Sequence, residues 1–303
     1  MRTYVAIDGG GTNTRCWVAD NERVLGRAAC GTVKIMNVGE TLSTARLQQL
    51  VRDAAAEAGV DLARVTRTCV GLAGISSARV MEWGQETLGA LVGGEVIVVG
   101  DEDIALEAAF QGGPGVFLIA GTGSIMLGRA SSGQKFGGGG FGPVLGDEGS
   151  AGWIGWEGIR AGLKAMDRGQ PTQILDAVIR CWGLDSLGAL IAKGNDSVRP
   201  QFGEVAGAVV ECATGGDAVA QRVLERAGFD LAEQVLLVVE KMRAAGCAAE
   251  DYSRLAFTGS AVGKVAAVRE AMTRRLHEAL PSMHVASEEV SAVEGALWLA
   301  RQG

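Results

Sequence analysis

A glycine-rich turn close to the start of the chain constrains the fold more than any other feature. Residues 4–7 form a short apolar run of the kind that buried strands show, and Asp8 follows it. Gly9, Gly10 and Gly11 come next, and residues 15–19 then alternate as a second strand would. A dinucleotide-binding fingerprint needs a helix after its glycines, and a Walker loop ends in Gly-Lys-Ser/Thr, so both are excluded here. The sequence therefore predicts a hairpin in which two strands flank a glycine turn.

Such a turn can serve as a phosphate site. Glycines allow the main chain to approach a ligand and to direct several N–H groups into one concavity, which suits a phosphate. Asp8, next to that concavity, is placed to hold Mg²⁺ directly or through water. A tight hairpin with an acid at its bend explains the same residues equally well, and this stretch alone does not separate the two interpretations.

Composition narrows the classes of partner and of compartment. The net charge is −7 and no basic run occurs, which argues against nucleic acid and anionic membranes as partners. The six cysteines are scattered without a Cys-x-x-Cys pair, so we expect a reducing compartment, no disulfide framework and no structural zinc. Neither a secretory leader nor an apolar run of membrane-spanning length is visible, and the sequence predicts a cytoplasmic protein.

The opening pattern returns in the second part of the chain. Strands at 66–73 and 95–99 alternate with helices at 41–58, 78–91 and 102–110, which is typical of an α/β domain. A second strand, glycine turn and strand follow at 116–128, with Ala120 at the place of Asp8, so that only the first hairpin keeps the acid. This repeat predicts two similar domains, 1–112 and 113–303, that face each other across a cleft, with the last helix (about 290–303) packing back on the first domain.

The remaining motifs allow two interpretations each. The glycine run at 137–143 is expected to form no regular element, and Asp147 and Glu148, which follow it, are favoured as caps of the next helix. Asp101 could cap a helix that starts at Glu102 or act as a base, or do both. The strand at 255–257 leads to Gly259-Ser260, either an ordinary turn or a support for adenosine before a helix at 265–280.

Together these stretches resemble the actin-like ATPase and sugar kinase superfamily. More closely, they resemble its N-acetylglucosamine kinase branch, which groups with the BadF/BadG-type ATPases. The resemblance is carried by residues 8–14, 121–124, 139–150 and 259–260, which occur in the family's order over nearly the whole chain. Phe141 departs from the pattern, because the family usually has tryptophan in this Gly-Gly-Trp-Gly run.

The resemblance implies a ribonuclease H-like fold in two lobes, a nucleotide and sugar cleft, and a homodimer. It places Mg²⁺ at Asp8 and matches Asp101 to the family's catalytic base. The residues that it assigns to ATP are Gly10, Gly11, Thr12, Asn13, Thr122, Gly123, Gly216, Gly259 and Ser260. Those that it assigns to the sugar are Asn37, Asp101, Ser124, Gly140, Phe141, Gly142 and Asp147.

The implied activity is ATP-dependent phosphorylation of a hexosamine, most simply N-acetylglucosamine at its 6-hydroxyl. Glucosamine and N-acetylmuramate are alternative acceptors. A reductase-activating ATPase of the same branch would need cysteines for an iron–sulfur cluster, and none lies near the second glycine turn in sequence. A sugar-sensing regulator and a filament-forming actin relative are further alternatives, ranked below the kinase.

Overall fold

The computed structural model describes residues 2–75 and 77–302. The chain divides into two compact units, Met1–Gly112 with Val290–Gly303 and Gly113–Glu289. Each unit contains one five-stranded mixed sheet covered by helices.

The sheet of the first unit has the strand order β3-β2-β1-β4-β5. Strand β1 runs parallel to β4, and β4 runs parallel to β5, whereas β2 and β3 are antiparallel additions on the other side. The strands are β1 (Tyr4–Gly9), β2 (Asn13–Ala19), β3 (Val24–Gly31), β4 (Arg67–Leu72) and β5 (Glu95–Gly100). The helices are α1 (Ile35–Val38), α2 (Glu40–Ala58), α3 (Ala78–Gly89) and α4 (Asp101–Phe110), with a 3₁₀ turn at Leu62–Arg64.

Strand β1 lies at the centre of this unit because both of its faces are apolar. Val5 and Ile7 belong to the core cluster on one side of the sheet, whereas Tyr4 and Ala6 belong to the cluster on the other side. Alternate residues of a strand point to opposite faces, so a continuous apolar run fits a strand covered on both sides. The glycine turn after β1 is thereby fixed to a buried strand at the centre of the sheet.

The second unit repeats this strand order as β10-β9-β6-β7-β8. Its strands are β6 (Gly115–Ala120), β7 (Ser124–Arg129), β8 (Lys135–Gly139), β9 (Arg254–Thr258) and β10 (His284–Val285). Its helices are α5 (Ala151–Asp167), α6 (Ile174–Cys181), α7 (Leu187–Gly194), α8 (Ala206–Thr214), α9 (Ala218–Ala244), α10 (Ser260–Gly263) and α11 (Ala266–Ala279), with 3₁₀ turns at Phe202–Val205 and Ala249–Tyr252. The predicted α/β class with two ribonuclease H-like sheets is confirmed.

One detail of the repeat differs from the prediction. The last paired residues of the hairpins are Gly9 with Thr14 and Ala120 with Ser124, so Ala120 corresponds to Gly9 rather than to Asp8. The second hairpin still lacks an acid at the equivalent place.

The glycine run at 137–143 was expected to form no regular element, and this is wrong for its first part. Strand β8 extends to Gly139 and pairs with β7 along Lys135–Gly139. A Cβ atom at Gly138 would lie 2.9 Å from the Val238 side chain of α9. The missing side chains therefore allow α9 to pack closely against β8, which favours a strand over a loop.

The last helix, α12 (Ala292–Arg301), packs on the first unit. A Cβ atom at Gly295 would lie 1.7 Å from the Ile104 carbonyl oxygen of α4, so these two helices touch through their backbones. Val293, Ala296 and Ala300 continue the same contact toward β1. The contact fixes α4, which carries Asp101 at its first position.

All six cysteines are free, and burial raises the pKa of the Cys69 thiol to about 12. Within the described residues, no group of three or more histidine, cysteine or acidic side chains could hold a metal ion by itself. None of the described helices combines the length and the apolar character needed to cross a bilayer.

Candidate active site

In the first unit, two acids lie at the same edge of the sheet. Asp8 is near the carboxyl end of β1, and Asp101 directly follows the carboxyl end of β5. Strand β4 separates them, with Gly71 paired to both Asp8 and Val99. The Asp8 charge acts on Asp101 at this edge. Carboxyl ends of parallel strands are the usual place for ligand sites in α/β sheets.

Asp101 is the first residue of α4, not its cap. The helix begins one residue earlier than predicted, with Gly100 as the N-cap, so the predicted capping role of Asp101 is wrong. Asp103 takes part in that cap instead, because its carboxylate accepts a hydrogen bond of 3.3 Å from the Gly100 N–H. The carboxyl group of Asp101 is instead hydrogen-bonded to the side chain and the main chain of Glu102 at the sheet edge.

The environment of Asp101 raises its pKa to about 7. Burial is the largest cause, followed by the hydrogen bond to the Glu102 side chain, the Glu102 charge and the Asp8 charge. Each of these disfavours the ionised carboxylate. A carboxyl group with a pKa close to neutral can accept a proton in one step and release it in the next.

Asp8 is half-buried, and burial raises its pKa even though Arg15 acts in the opposite direction. Magnesium sites in phosphoryl-transfer enzymes often use only one or two protein carboxylates, with water and phosphate oxygens completing the shell. A partly desolvated carboxylate next to a glycine turn fits this donor set. A bound cation would also offset the cost of burying the charge.

The first glycine turn is exposed and fixed from one side. The Thr32 hydroxyl donates to the Gly10 carbonyl oxygen at 3.0 Å, and the Asn37 side-chain amide donates to the Gly11 carbonyl oxygen at 3.4 Å. Apart from its two neighbours in the chain, no described residue has an atom within 4 Å of a Cβ placed at Gly11. The predicted residues Gly10, Gly11, Thr12, Asn13 and Asn37 are therefore neighbours, and the turn has free space above it.

The second glycine turn packs against the start of α5. The Ala151 N–H donates to the Gly121 carbonyl oxygen at 2.8 Å, and the Gly152 N–H donates to the Thr122 carbonyl oxygen at 3.2 Å. Gly259 approaches the same turn, because a Cβ atom there would lie 2.5 Å from the Ala120 carbonyl group. The predicted ATP residues Thr122, Gly123 and Gly259 are thus brought together in the second unit.

Asp147 is the buried acid of the second unit, 7 % exposed. Its carboxylate accepts a hydrogen bond of 3.3 Å from the Ser124 N–H and another from the Gly142 N–H. Burial raises the pKa of Asp147, and these two donors counteract that shift. A Cβ atom at Gly123 would lie 2.7 Å from the Asp147 carboxylate, so only glycine permits this approach.

The helix-capping role expected for Asp147 and Glu148 is wrong. Helix α5 starts at Ala151, and its cap is Ser150, whose hydroxyl accepts from the Trp153 N–H. Asp147 has a left-handed backbone with φ of +63°, which is uncommon for a residue other than glycine. Such conformations concentrate at functional sites. With this backbone conformation, the Asp147 side chain faces Ser124 and not the start of α5.

The segment before Asp147 brings the other predicted sugar residues close to it. The Gly140 N–H donates to the Ser124 carbonyl oxygen at 3.0 Å, and both Gly140 and Gly142 have positive φ angles. Phe141 projects outward and is 72 % exposed. Ser124, Gly140, Gly142 and Asp147 therefore form one cluster, and Phe141 lies at its surface.

A cavity of about 560 Å³ in the second unit lies near the residues predicted to contact adenosine. Its walls include Ala213 and Thr214 just before Gly216, and Lys264 and Val265 just after α10. Gly216, Gly259 and Ser260 border this region but do not line the cavity. Residues 260–263 form a one-turn helix, so the helix expected from residue 265 onward begins only at Ala266.

Sequence reasoning missed three residues of the site. Glu102 contacts Asp101, and Gln234 of α9 donates to the Glu148 carboxylate at 3.0 Å. Arg199 lies close to Asp147 although 52 residues separate them in the chain. The acids next to Asp101 gave a signal for the first of these, whereas the other two depend on tertiary packing.

Comparisons with known proteins show the family of the chain. The family model described as the BadF/BadG/BcrA/BcrD ATPase family matches residues 5–300. The chain is 30% identical over 247 residues to an N-acetylmuramic acid/N-acetylglucosamine kinase of Clostridium acetobutylicum, covering 79% of this chain and 80% of the relative. It is 27% identical to an N-acetyl-D-glucosamine kinase of Dictyostelium discoideum, covering 98% and 97% of the two chains.

One solved structure shows the same fold. A candidate N-acetylglucosamine kinase of Chromobacterium violaceum superimposes with a TM-score of 0.76 over 99% of both chains, at 23% identity. The resemblance drawn from the sequence motifs is confirmed. The chain therefore belongs to the BadF/BadG/BcrA/BcrD ATPase family.

Proposed function

We propose that the protein is an ATP-dependent amino sugar kinase that transfers the γ-phosphoryl group to the 6-hydroxyl of N-acetylglucosamine. The relatives from Clostridium acetobutylicum and Dictyostelium discoideum are both named as kinases of this sugar. A further relative, 26% identical, is named as a glucosamine kinase of Vibrio cholerae. All three names describe kinases of amino sugars.

The observation that carries the proposal is the environment of Asp101. Phosphoryl transfer needs a group that accepts the proton of the attacking hydroxyl, and little other covalent chemistry from the protein. Burial and the neighbouring acids hold the pKa of Asp101 at about 7, so an appreciable fraction is ionised at neutral pH. Asp101 would accept the proton while the sugar oxygen attacks the γ-phosphorus and the bond to ADP breaks.

The glycine turns would bind the phosphates through main-chain N–H groups. Gly11 and Thr12 are exposed and Gly10 is half-buried, so the N–H groups of these residues would provide donors in the first unit, and those of Thr122 and Gly123 would provide them in the second. Asp8 would hold Mg²⁺, which supplies neutralisation of phosphate charge when it is bound. Asp147 would accept hydrogen bonds from sugar hydroxyl groups, since Ser124 and Gly142 already fix its carboxylate.

A coupled ADP-release assay over a panel of sugars tests this proposal. The panel comprises N-acetylglucosamine, glucosamine, N-acetylmannosamine, glucose and a blank without sugar. We expect ADP release that depends on sugar and is fastest with N-acetylglucosamine. ADP release at the same rate with and without sugar would contradict a sugar kinase and would favour an ATPase activator.

The same assay separates the kinase from the other candidates. An iron–sulfur activator would purify as a brown protein, and a filament-forming relative would polymerise with ATP and ignore sugars. The homodimer and the cytoplasmic location stay predictions. Size-exclusion chromatography with light scattering measures the first of these directly.

A further inference from the structure

A pocket of about 190 Å³ lies in the second unit between the C-terminal half of α5 and the N-terminal half of α9. We call it the α5–α9 pocket. Its floor is apolar and buried, and its rim is cationic and exposed. The floor residues that matter here are Ala165, Val219 and Val223, and the rim residues are Lys164, Arg168 and Arg222.

The pocket is remote from the predicted sugar residues of the same unit. Helix α5 begins at Ala151, four residues after Asp147, and Ala165 lies near its other end. A helix rises 1.5 Å per residue, so about 21 Å of helix separate Ala151 from Ala165. Among the described residues that line the pocket, none is assigned to sugar or ATP. The pocket therefore forms a second, separate concavity of this unit.

Two charged groups of the pocket are neutralised within their own helices. Arg226 pairs with Asp230 at 2.7 Å along α9, and Glu157 pairs with Arg160 at 2.6 Å along α5. Glu157 is the only acid among the described residues that line the pocket. Because the whole chain has a net charge of −7, the excess of positive charge at this rim is local.

The three rim cations have no acid to balance them. The side chains of Lys164, Arg168 and Arg222 form no ion pair, hydrogen bond or ring contact with any described residue. The C-terminal end of α5 favours the positive charges of Lys164 and Arg168. Arg222 lies in the second turn of α9, near the end where the helix dipole does not favour a cation. A bound anion would account for all three positions.

The chemistry of the pocket selects one class of anion. A phosphate monoester carries close to two negative charges at neutral pH and three acceptor oxygens, which suits three cations from two helices, whereas a carboxylate carries one charge. The apolar floor suits the C–H groups of a sugar ring. The pocket is smaller than the range of about 300 to 1,000 Å³ typical for drug-sized ligands, so its ligand is small.

We propose that the α5–α9 pocket binds the phosphate monoester of a monosaccharide, at a site separate from the sugar residues around Asp147. The guanidinium groups of Arg168 and Arg222 donate paired hydrogen bonds to the phosphate oxygens, and Lys164 adds a third positive charge. The sugar ring lies on the apolar floor. This site goes beyond the proposed function, because binding in it needs neither ATP nor catalysis.

Titration calorimetry at constant ionic strength tests the proposal. The probes are N-acetylglucosamine 6-phosphate, glucose 6-phosphate and inorganic phosphate. The proteins are the wild type, the double variant Arg168→Gln with Arg222→Gln, and the control Arg52→Gln with Arg243→Gln. The control loses the same charge at exposed positions that do not line the pocket. Thermal melting confirms that all three proteins are folded.

We expect the wild type to bind at least one of the two sugar phosphates, and more tightly than inorganic phosphate, because the floor contacts the ring. The double variant should bind it about 10- to 100-fold more weakly, the effect of losing charge-assisted hydrogen bonds to phosphate, and the control should bind it like the wild type. Tighter binding of N-acetylglucosamine 6-phosphate identifies the product of the proposed reaction as the ligand, and tighter binding of glucose 6-phosphate identifies another hexose phosphate.

Three results would overturn the proposal. Neither sugar phosphate binds to the wild type, the double variant binds as tightly as the control, or inorganic phosphate binds as tightly as both esters. A binding event that is the same in all three proteins belongs to another site and counts against the pocket if it is the only one. The ADP-release assay judges the proposed function separately, so failure of the pocket and failure of the kinase are distinguishable.

Discussion

The pH dependence of the reaction should respond to Glu102, which touches no substrate in the proposed mechanism. The Glu102 side chain contributes a hydrogen bond and a negative charge that both raise the pKa of Asp101. The variant Glu102→Gln keeps a hydrogen-bonding side chain of the same size and removes the charge. Because a like charge disfavours the second carboxylate, its removal lowers the pKa of Asp101.

The size of the expected change in the pKa of Asp101 follows from the causes that raise this pKa in the wild type. Burial is the largest cause and stays in the variant, so the pKa of Asp101 remains above its ordinary value near 3.8. Removing a nearby like charge is worth about 1–2 pKa units. With a pKa of about 7, Asp101 is about one-tenth ionised at pH 6, and with a pKa near 5.5 it would be about three-quarters ionised. We therefore expect kcat/KM at pH 6 to rise about five- to tenfold in Glu102→Gln, with little change above pH 8.

The assay is kcat/KM for N-acetylglucosamine between pH 5 and pH 9 at constant ionic strength. Its acidic limb reports the base of the free enzyme. The matched control is Asp103→Asn, since an amide oxygen at this position can still accept from the Gly100 N–H. In this control, the acidic limb of the pH profile should lie at the same pH as in the wild type. A limb at the same pH in wild type and Glu102→Gln would refute our account of the Asp101 pKa.

Three further predictions concern binding and stability. Asp147→Asn should raise KM for the sugar more than KM for ATP without unfolding the protein, because the amide oxygen can still accept the hydrogen bond from the Ser124 N–H. Gly11→Ala should leave the melting temperature unchanged, since among the described residues only its two chain neighbours lie within 4 Å of the new Cβ, and should raise KM for ATP about tenfold by covering the turn. Gly295→Ala should lower the free energy of unfolding by about 2 kcal/mol or more, because its Cβ would lie 1.7 Å from a backbone oxygen of α4. In the matched control Gly207→Ala, the new Cβ meets no described atom within 4 Å beyond its own stretch of α8, and the change should be neutral or stabilising by up to about 1 kcal/mol.

Each of these predictions has a contradicting result. Equal increases in both KM values for Asp147→Asn would remove its assignment to the sugar. An unchanged KM for ATP in Gly11→Ala would argue against phosphate binding at the first turn. Denaturant unfolding that gives the same stability for Gly295→Ala as for Gly207→Ala would contradict the backbone contact between α12 and α4.

Features encoded locally could be predicted from the sequence. Both glycine turns, the return of the hairpin in the second unit and the position of Asp101 after a strand follow from apolar runs that end in small or acidic residues. These patterns depend on neighbours within a few positions. The motifs around Asp8 and Asp147 could be recognised for the same reason, because each is a run of neighbouring residues.

The errors came from contacts between distant parts of the chain. Asp147 was expected to cap α5, but its left-handed backbone places the carboxylate next to Ser124, 23 residues earlier. Strand β8 forms from a glycine run because α9 packs closely over it, which no local propensity reveals. Arg199 follows α7 in a stretch without regular structure, and only tertiary packing places it beside Asp147.

The variant Asp101→Asn tests most directly whether Asp101 accepts the proton of the sugar hydroxyl. Steady-state turnover with saturating ATP and N-acetylglucosamine is compared with the wild type, and thermal melting confirms that the variant is folded. We expect kcat to fall about 10²- to 10⁴-fold, the usual contribution of a positioned base, while KM for ATP changes little. Turnover close to that of the wild type would contradict the account.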